Sequence, residues 1–255
     1  MDVRAYLSEL VARARGVLGD DLIGAYAAGS LALGAYVPGR SDVDVALVSV
    51  DAIGPDRKHA LVARLRHEVL PCPARGLELV TYRRAVAASG TPEPGFEVEL
   101  NTGARMAFRA TYDPADRPAA DGRFWYGLDR SLLHQSGTAL LGPPAAEVFA
   151  DLTPADLRRL LVDALTWWLA RPTPPGDEPA PGTGDAVLAA CRSLVRVRDG
   201  VWLSKAAAGE RLVAAGDPAS ELIAGALAAR RGGPSPTGPQ TRAFQRRIRA
   251  EVAGG

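Results

Sequence analysis

Two short apolar runs bracket a Gly-Ser pair and an Asp-x-Asp pair, and this stretch constrains the fold more than any other. It reads AAGSLALGAYVPGRSDVDVALV, with Gly29-Ser30 followed by Asp42-Val43-Asp44. Leu22 to Ala28 is short and apolar, and Val43 to Val50 is apolar and β-branched, so both are predicted as strands. Between them, Ser30 to Tyr36 is predicted as a short helix that Pro38-Gly39 ends. Side chains alternate across a strand, so Asp42 and Asp44 should share one face while Val43 and Val45 point into the core. Two adjacent carboxylates repel each other unless a cation lies between them. All-oxygen ligands suit magnesium, which keeps waters and phosphate oxygens in its remaining positions. The junction of a strand with a helix offers free backbone N–H groups to an anion. There Gly29 would let a phosphate approach the backbone, and Ser30 would donate a hydrogen bond. An Asp-x-Asp alone is ordinarily a pair of solvated loop charges; its occurrence beside the Gly-Ser turn is what makes it specific.

The chain has 255 residues, 47% of them hydrophobic, enough for one large domain or two modest ones with real cores. Lys plus Arg is 30 against 29 for Asp plus Glu, a net charge of +1. That balance argues against a nucleic-acid partner and against a polybasic membrane anchor. Two cysteines, Cys72 and Cys191, are too few for a disulfide framework or a Cys-rich zinc site. A reducing cytoplasm is the expected location. The first residues, MDVRAYLSELVARARGVLG, are charged throughout and read as an amphipathic helix, not a signal peptide. No run approaches the ~20 apolar residues that a membrane span needs.

Pro55 to Leu70 is predicted as a helix, Leu77 to Tyr82 as a third strand, and Phe96 to Leu100 as a half-exposed strand because Glu97 and Glu99 alternate with apolar residues. From Trp125 onward the spacing is helical. Helices are predicted over Gly127 to Gly137, Pro154 to Ala170, Asp185 to Val197, Lys205 to Ala215, Ala219 to Arg230 and Thr241 to Val252. Two Pro/Gly-rich stretches, 171–184 and 231–240, read as exposed loops. The expected class is therefore α+β, with an α/β domain over residues 1–150 and an all-helical domain over 151–255.

With these residues in view, the chain resembles the nucleotidyltransferase superfamily typified by DNA polymerase beta. More closely, it resembles the aminoglycoside adenylyltransferases of the streptomycin/spectinomycin type and related bacterial nucleotidyltransferases. Beyond the first motif, GLELVTY is similar to the family's strand carrying a third carboxylate. ALLGPPAAEVF is similar to its segment joining the two domains. LAACRSLVRVRDGVWLSKAAAGERL is similar to its helical motif, and AFQRRIRAEV to its terminal helix. The resemblance implies a polymerase-beta-like domain, a mixed sheet with flanking helices, followed by a helical bundle. It implies AMP transfer from ATP to a hydroxyl of a small polar acceptor, with two magnesium ions. Asp42 and Asp44 would bind magnesium, and Glu78 would be the third carboxylate, the general base and a metal neighbour. Gly29, Ser30 and Ser41 would hold the triphosphate, and Arg192 and Lys205 would close over its phosphates. A monomer is expected, with a nucleoside triphosphate and a small hydroxyl acceptor as its partners.

The residues themselves leave alternatives open. Glu78 in Leu-Glu-Leu reads equally as an edge-strand charge, and Glu97 and Glu99 are rivals for the third carboxylate. Arg192 lies in an apolar helix, so burial is expected, and its anionic partner is either a phosphate or a structural carboxylate. Lys205 at a helix start opposes the helix dipole, which favours a phosphate partner. Asp177, Glu178 and Asp185 are acids that suit a cationic acceptor, or merely a solvated loop. The family's Gly-Glu-Trp segment has no counterpart: Glu99-Leu100-Asn101-Thr102-Gly103 carries no tryptophan. Its acid ahead of the next helix is replaced by Phe124-Trp125-Tyr126, with Asp121 and Asp129 to either side. The catalytic frame thus carries over better than the acceptor pocket. A second target class is a protein or an RNA, in a regulatory or toxin–antitoxin role. A non-catalytic nucleotide-binding module is a third reading, which three carboxylates disfavour.

Overall fold

The computed structural model describes residues 2–254, with only the backbone at Ala119. The chain falls into two compact units that meet in sequence between Thr153 and Pro154. In the first unit the elements run α1 (Val3–Leu18), β1 (Leu22–Ala27), α2 (Gly29–Ala32), β2 (Val43–Ser49), α3 (Pro55–Leu65) and β3 (Leu77–Arg83). They continue as α4 (Arg84–Ala87), β4 (Phe96–Gly103), β5 (Met106–Thr111), α5 (Phe124–Ser136), β6 (Thr138–Leu141) and α6 (Ala145–Val148).

The six strands form one sheet in the order β5-β4-β3-β2-β1-β6. Only β2 and β3 pair in parallel, the crossover between them carrying α3, and the other neighbours are antiparallel. Strand alternation sends Val43, Val45, Leu47, Leu77 and Leu79 to one face, where α1 and α3 cover them with Tyr6, Leu10, Leu18, Leu61 and Leu65. Burying one such leucine contributes about 1.5–3 kcal/mol. The other face presents Tyr26, Ala46, Val48 and Tyr82 to Tyr126 and Leu133 of α5 and to Phe149. The Asp2 side chain caps α1 by accepting from the Ala5 amide at 2.8 Å, and Pro55 opens α3.

The second unit consists of α7 (Pro154–Ala170), α8 (Thr183–Asp199), α9 (Lys205–Ala214), α10 (Ser220–Ala229) and α11 (Gly238–Gly254). Helix α8 is its centre and packs against each of the other four. Its Val187, Leu188, Ala190, Cys191, Leu194 and Val195 are all buried. Gly209 of α9 permits close approach, since a side chain there would meet Leu188 and Ile223.

Several local expectations are corrected. Helix α2 is a single turn, Gly29–Ala32, not Ser30 to Tyr36. Phe96 to Leu100 is wholly buried, not half-exposed, because distant basic residues neutralise its acids. Strands β5 and β6 had no distinct pattern in the sequence. The two Pro/Gly-rich stretches are not simple exposed loops. Pro179 bridges Thr237, and the Thr183 hydroxyl donates to the Pro236 carbonyl at 2.7 Å. Among the described residues, no helix is long and apolar enough to cross a membrane.

Candidate active site

The candidate site grows from the end of β1. The Ala28 amide donates to the Asp44 carbonyl at 2.9 Å, which holds the Gly29-Ser30 turn beside the start of β2. Gly29 has φ +54°, and a Cβ there would overlap the Asp44 carboxylate. Only glycine allows that approach. The Ser30 hydroxyl is buried with no hydrogen-bond partner in the protein. Such a group costs about 1–3 kcal/mol unless something satisfies it. Because α2 is one turn long, its dipole is small, and the turn's N–H groups and this hydroxyl are what suit an anion. Ser41 closes the preceding loop. Its hydroxyl oxygen accepts from the Val37 amide at 3.0 Å, which uses a lone pair and leaves the hydroxyl proton as a donor.

The parallel register of β2 with β3 pairs Asp44 with Glu78 and Val43 with Leu77. Paired positions on neighbouring strands share a face, so Glu78 stands beside Asp44 on the face that α5 covers. Asp42 lies just ahead of β2, and its Oδ2 accepts from Arg75 Nη2 at 2.9 Å. Burial, then the charges of Asp42 and Asp129, push the Glu78 carboxyl up to about 7, Arg75 opposing them. Acidic charge thus gathers near a turn that holds a hydroxyl with no partner in the protein, the arrangement expected where a cation and an anion bind together.

The rivals for the third carboxylate are committed elsewhere. Glu99 accepts from Arg117 at 2.5 Å, Arg109 at 3.0 Å and the Thr111 hydroxyl at 3.1 Å. Glu97 pairs with Lys58 at 3.1 Å and Arg83 at 2.9 Å and accepts from the Ile53 amide. A bulge opposite Thr81 and Tyr82 sets these two acids out of step, so they meet different partners. Both are structural.

The donor chemistry fits magnesium: Asp42, Asp44 and Glu78 supply oxygen alone, on adjacent positions of one sheet end. Among the described residues no three His, Cys, Asp or Glu side chains converge as a preformed metal cluster.

In the second unit, Arg192 is half-buried on α8, not buried as its apolar neighbours implied. Its guanidinium lies 5.7 Å from the ring centre of Trp202, and Arg196 lies 5.6 Å from the same ring. Lys205 is the first residue of α9, whose start is capped by the Ser204 hydroxyl accepting from the Ala207 amide. Asp185 pairs with Arg230 at 2.6 Å. The histidines serve the fold: His67 Nδ1 accepts from the Cys72 amide, and His134 Nδ1 lies 2.6 Å from the Phe149 carbonyl.

Sequence reading missed Arg75 as the partner of Asp42 and Trp202 as the platform beneath Arg192. Arg75 had no signal beyond standing before a glycine at a strand entrance. Trp202 carried one, an indole just beyond a helix that holds Arg192, Arg196 and Arg198. Asp129 was noted only as a flanking acid; its position on α5, which packs over the Glu78 face, makes it an electrostatic neighbour of that carboxyl.

No family model and no curated relative matches the sequence. The fold has a counterpart in the crystal structure of the spectinomycin adenyltransferase AAD(9) from Enterococcus faecialis, determined with ATP and spectinomycin. The TM-score is 0.69 over 98% of this chain and 99% of that one, with 14% sequence identity. At that identity the likeness shows a shared fold.

Proposed function

We propose that this chain is a magnesium-dependent nucleotidyltransferase that moves AMP from ATP to a hydroxyl of a small polar acceptor, of the aminoglycoside or aminocyclitol class. The observation that carries the reading is the register of Asp44 with Glu78 beside the Gly29-Ser30 turn. The similar fold of a protein solved with ATP and spectinomycin supports it. In this reading the Gly29-Ser30 turn and the Ser41 hydroxyl bind phosphate oxygens. Asp42, Asp44 and Glu78 would hold magnesium, which supplies charge stabilisation at the phosphoryl oxygens when bound. Glu78 accepts the proton of the acceptor hydroxyl as its oxygen forms a bond to the α-phosphorus and the bond to pyrophosphate breaks. Burial and the neighbouring acids push the Glu78 carboxyl up, which strengthens it as a proton acceptor. By the family resemblance, Arg192 and Lys205 would supply positive charge to the departing pyrophosphate.

The test is pyrophosphate release with ATP, CTP, GTP and UTP against an aminoglycoside and aminocyclitol panel, with mass spectrometry of the acceptor. The expected product is an acceptor heavier by one AMP. Asp44→Asn and Glu78→Gln should each cut transfer by about a thousandfold or more, with the fold retained by circular dichroism. Full transfer by both folded variants would sink this mechanism. Label from ATP appearing on a protein or an RNA, and not on a small molecule, would move the assignment to that target class.

A further inference from the structure

We propose that Arg75 is a latch on the metal site: it holds Asp42 while no nucleotide is bound and turns to the polyphosphate when one arrives, so that metal binds well only together with nucleotide. The inference rests on the nucleotide-transfer reading above and deepens it. Arg75 Nη2 donates to Asp42 Oδ2 at 2.9 Å, so the carboxylate that would take a cation already faces one. The Arg75 backbone is fixed from three sides. Its amide donates to the Ser41 carbonyl at 3.2 Å, its carbonyl accepts from the Arg105 amide at 3.2 Å, and the Gly76 carbonyl accepts from the Val43 amide at 2.9 Å. Gly103 packs so closely that a Cβ there would stand 2.6 Å from the Arg75 carbonyl oxygen. The side chain is different: it is 47% exposed, against 27% for Asp42. A fixed backbone with a half-exposed head suits a group that changes partners. An ion pair this exposed is weak, so a triphosphate can displace it. The guanidinium also matches phosphate oxygens in a bidentate manner. Arg75 is anchored to the backbone of Ser41, the residue assigned to the triphosphate, so its head needs little travel to reach the same anion.

The experiment measures Mn2+ binding by electron paramagnetic resonance, with and without the α,β-methylene analogue of ATP, for the wild type, Arg75→Gln and Arg75→Lys. Wild type should bind Mn2+ weakly alone and much more tightly with the analogue. Arg75→Gln should bind Mn2+ alone about three- to fivefold more tightly, the release expected from a weak exposed pair. It should also bind the analogue about tenfold more weakly, reducing the synergy. Arg75→Lys, which keeps the charge, should restore weak binding of Mn2+ alone. If the wild type binds the analogue and Arg75→Gln behaves identically in both conditions, the latch is wrong and the transfer reading stands. If Arg75→Gln weakens the analogue without tightening Mn2+ alone, Arg75 is only a phosphate ligand and the latch is again wrong. A wild type that binds no analogue would overturn both readings.

Discussion

One sheet carries two sets of carboxylates, and they are treated in opposite ways. Glu97 and Glu99 of β4 are enclosed and met by Lys58, Arg83, Arg109 and Arg117 from the surrounding fold. Glu78, at the start of β3, stands near Asp42 and Asp129, and its carboxyl is pushed up to about 7. Arg75 is the cation that opposes this shift, and it is itself half exposed. The β4 acids have their charges balanced inside the protein. At the head of β2 and β3 the half-exposed Arg75 faces Asp42, the neighbouring acids still push Glu78 up, and the buried Ser30 hydroxyl has no hydrogen-bond partner in the protein. An acid in a core pattern is therefore not informative by itself; where its countercharge comes from is.

Glu99→Gln should show the largest effect on stability. It strips the buried Arg117 of its nearest charge partner and leaves it the more distant Asp121, which should cost about 3 kcal/mol in urea unfolding. A loss under 1 kcal/mol would mean that the β4 acids are not closed as described. Next comes Gly29→Ala, which forces a side chain into a left-handed backbone and into the Asp44 carboxylate. We expect a loss of roughly 1–3 kcal/mol and at least a tenfold fall in turnover per folded molecule. Unchanged turnover would separate the turn from the chemistry.

Glu78→Gln should move stability the other way, and only at high pH. The folded carboxyl titrates near 7 and its ordinary value is 4.5. Below pH 4.5 both states hold the proton and there is no penalty. Between 4.5 and 7 the unfolded chain releases a proton that the folded chain retains, so stability falls as pH rises. The penalty is complete above about pH 7. Removing the charge should stabilise the metal-free protein by about 1–3 kcal/mol at pH 8, with no gain below pH 4.5. Chemical denaturation across that range checks it, and a gain independent of pH would point to packing instead. The smallest effect is expected of Arg83→Gln. It removes the half-exposed partner of Glu97 while Lys58 remains, and should cost less than about 1 kcal/mol.

Much of this was readable in one dimension. The strand at Val43 and the face of Asp44 follow from alternation, which is local. The helices from Pro154 onward follow from a period of 3.6, also local. Strands β5 and β6 were not readable, because each exists by pairing with a neighbour and not by its own pattern. The exposure of β4 was misjudged for the same reason. Arg117 lies 18 residues beyond Glu99, and no local rule brings them together.

The sequence by itself determined the α+β class, the Gly-Ser turn between two strands and the Asp42-Val43-Asp44 spacing, because spacing and backbone chemistry are properties of the chain. Only the tertiary structure decided which carboxylate stands beside Asp44. That choice depends on strand register, which pairs Asp44 with Glu78 across residues far apart in sequence. The fold also decided that Glu97 and Glu99 are neutralised, and that Arg75 lies on Asp42. Charge acts through space, and only folding sets the distances.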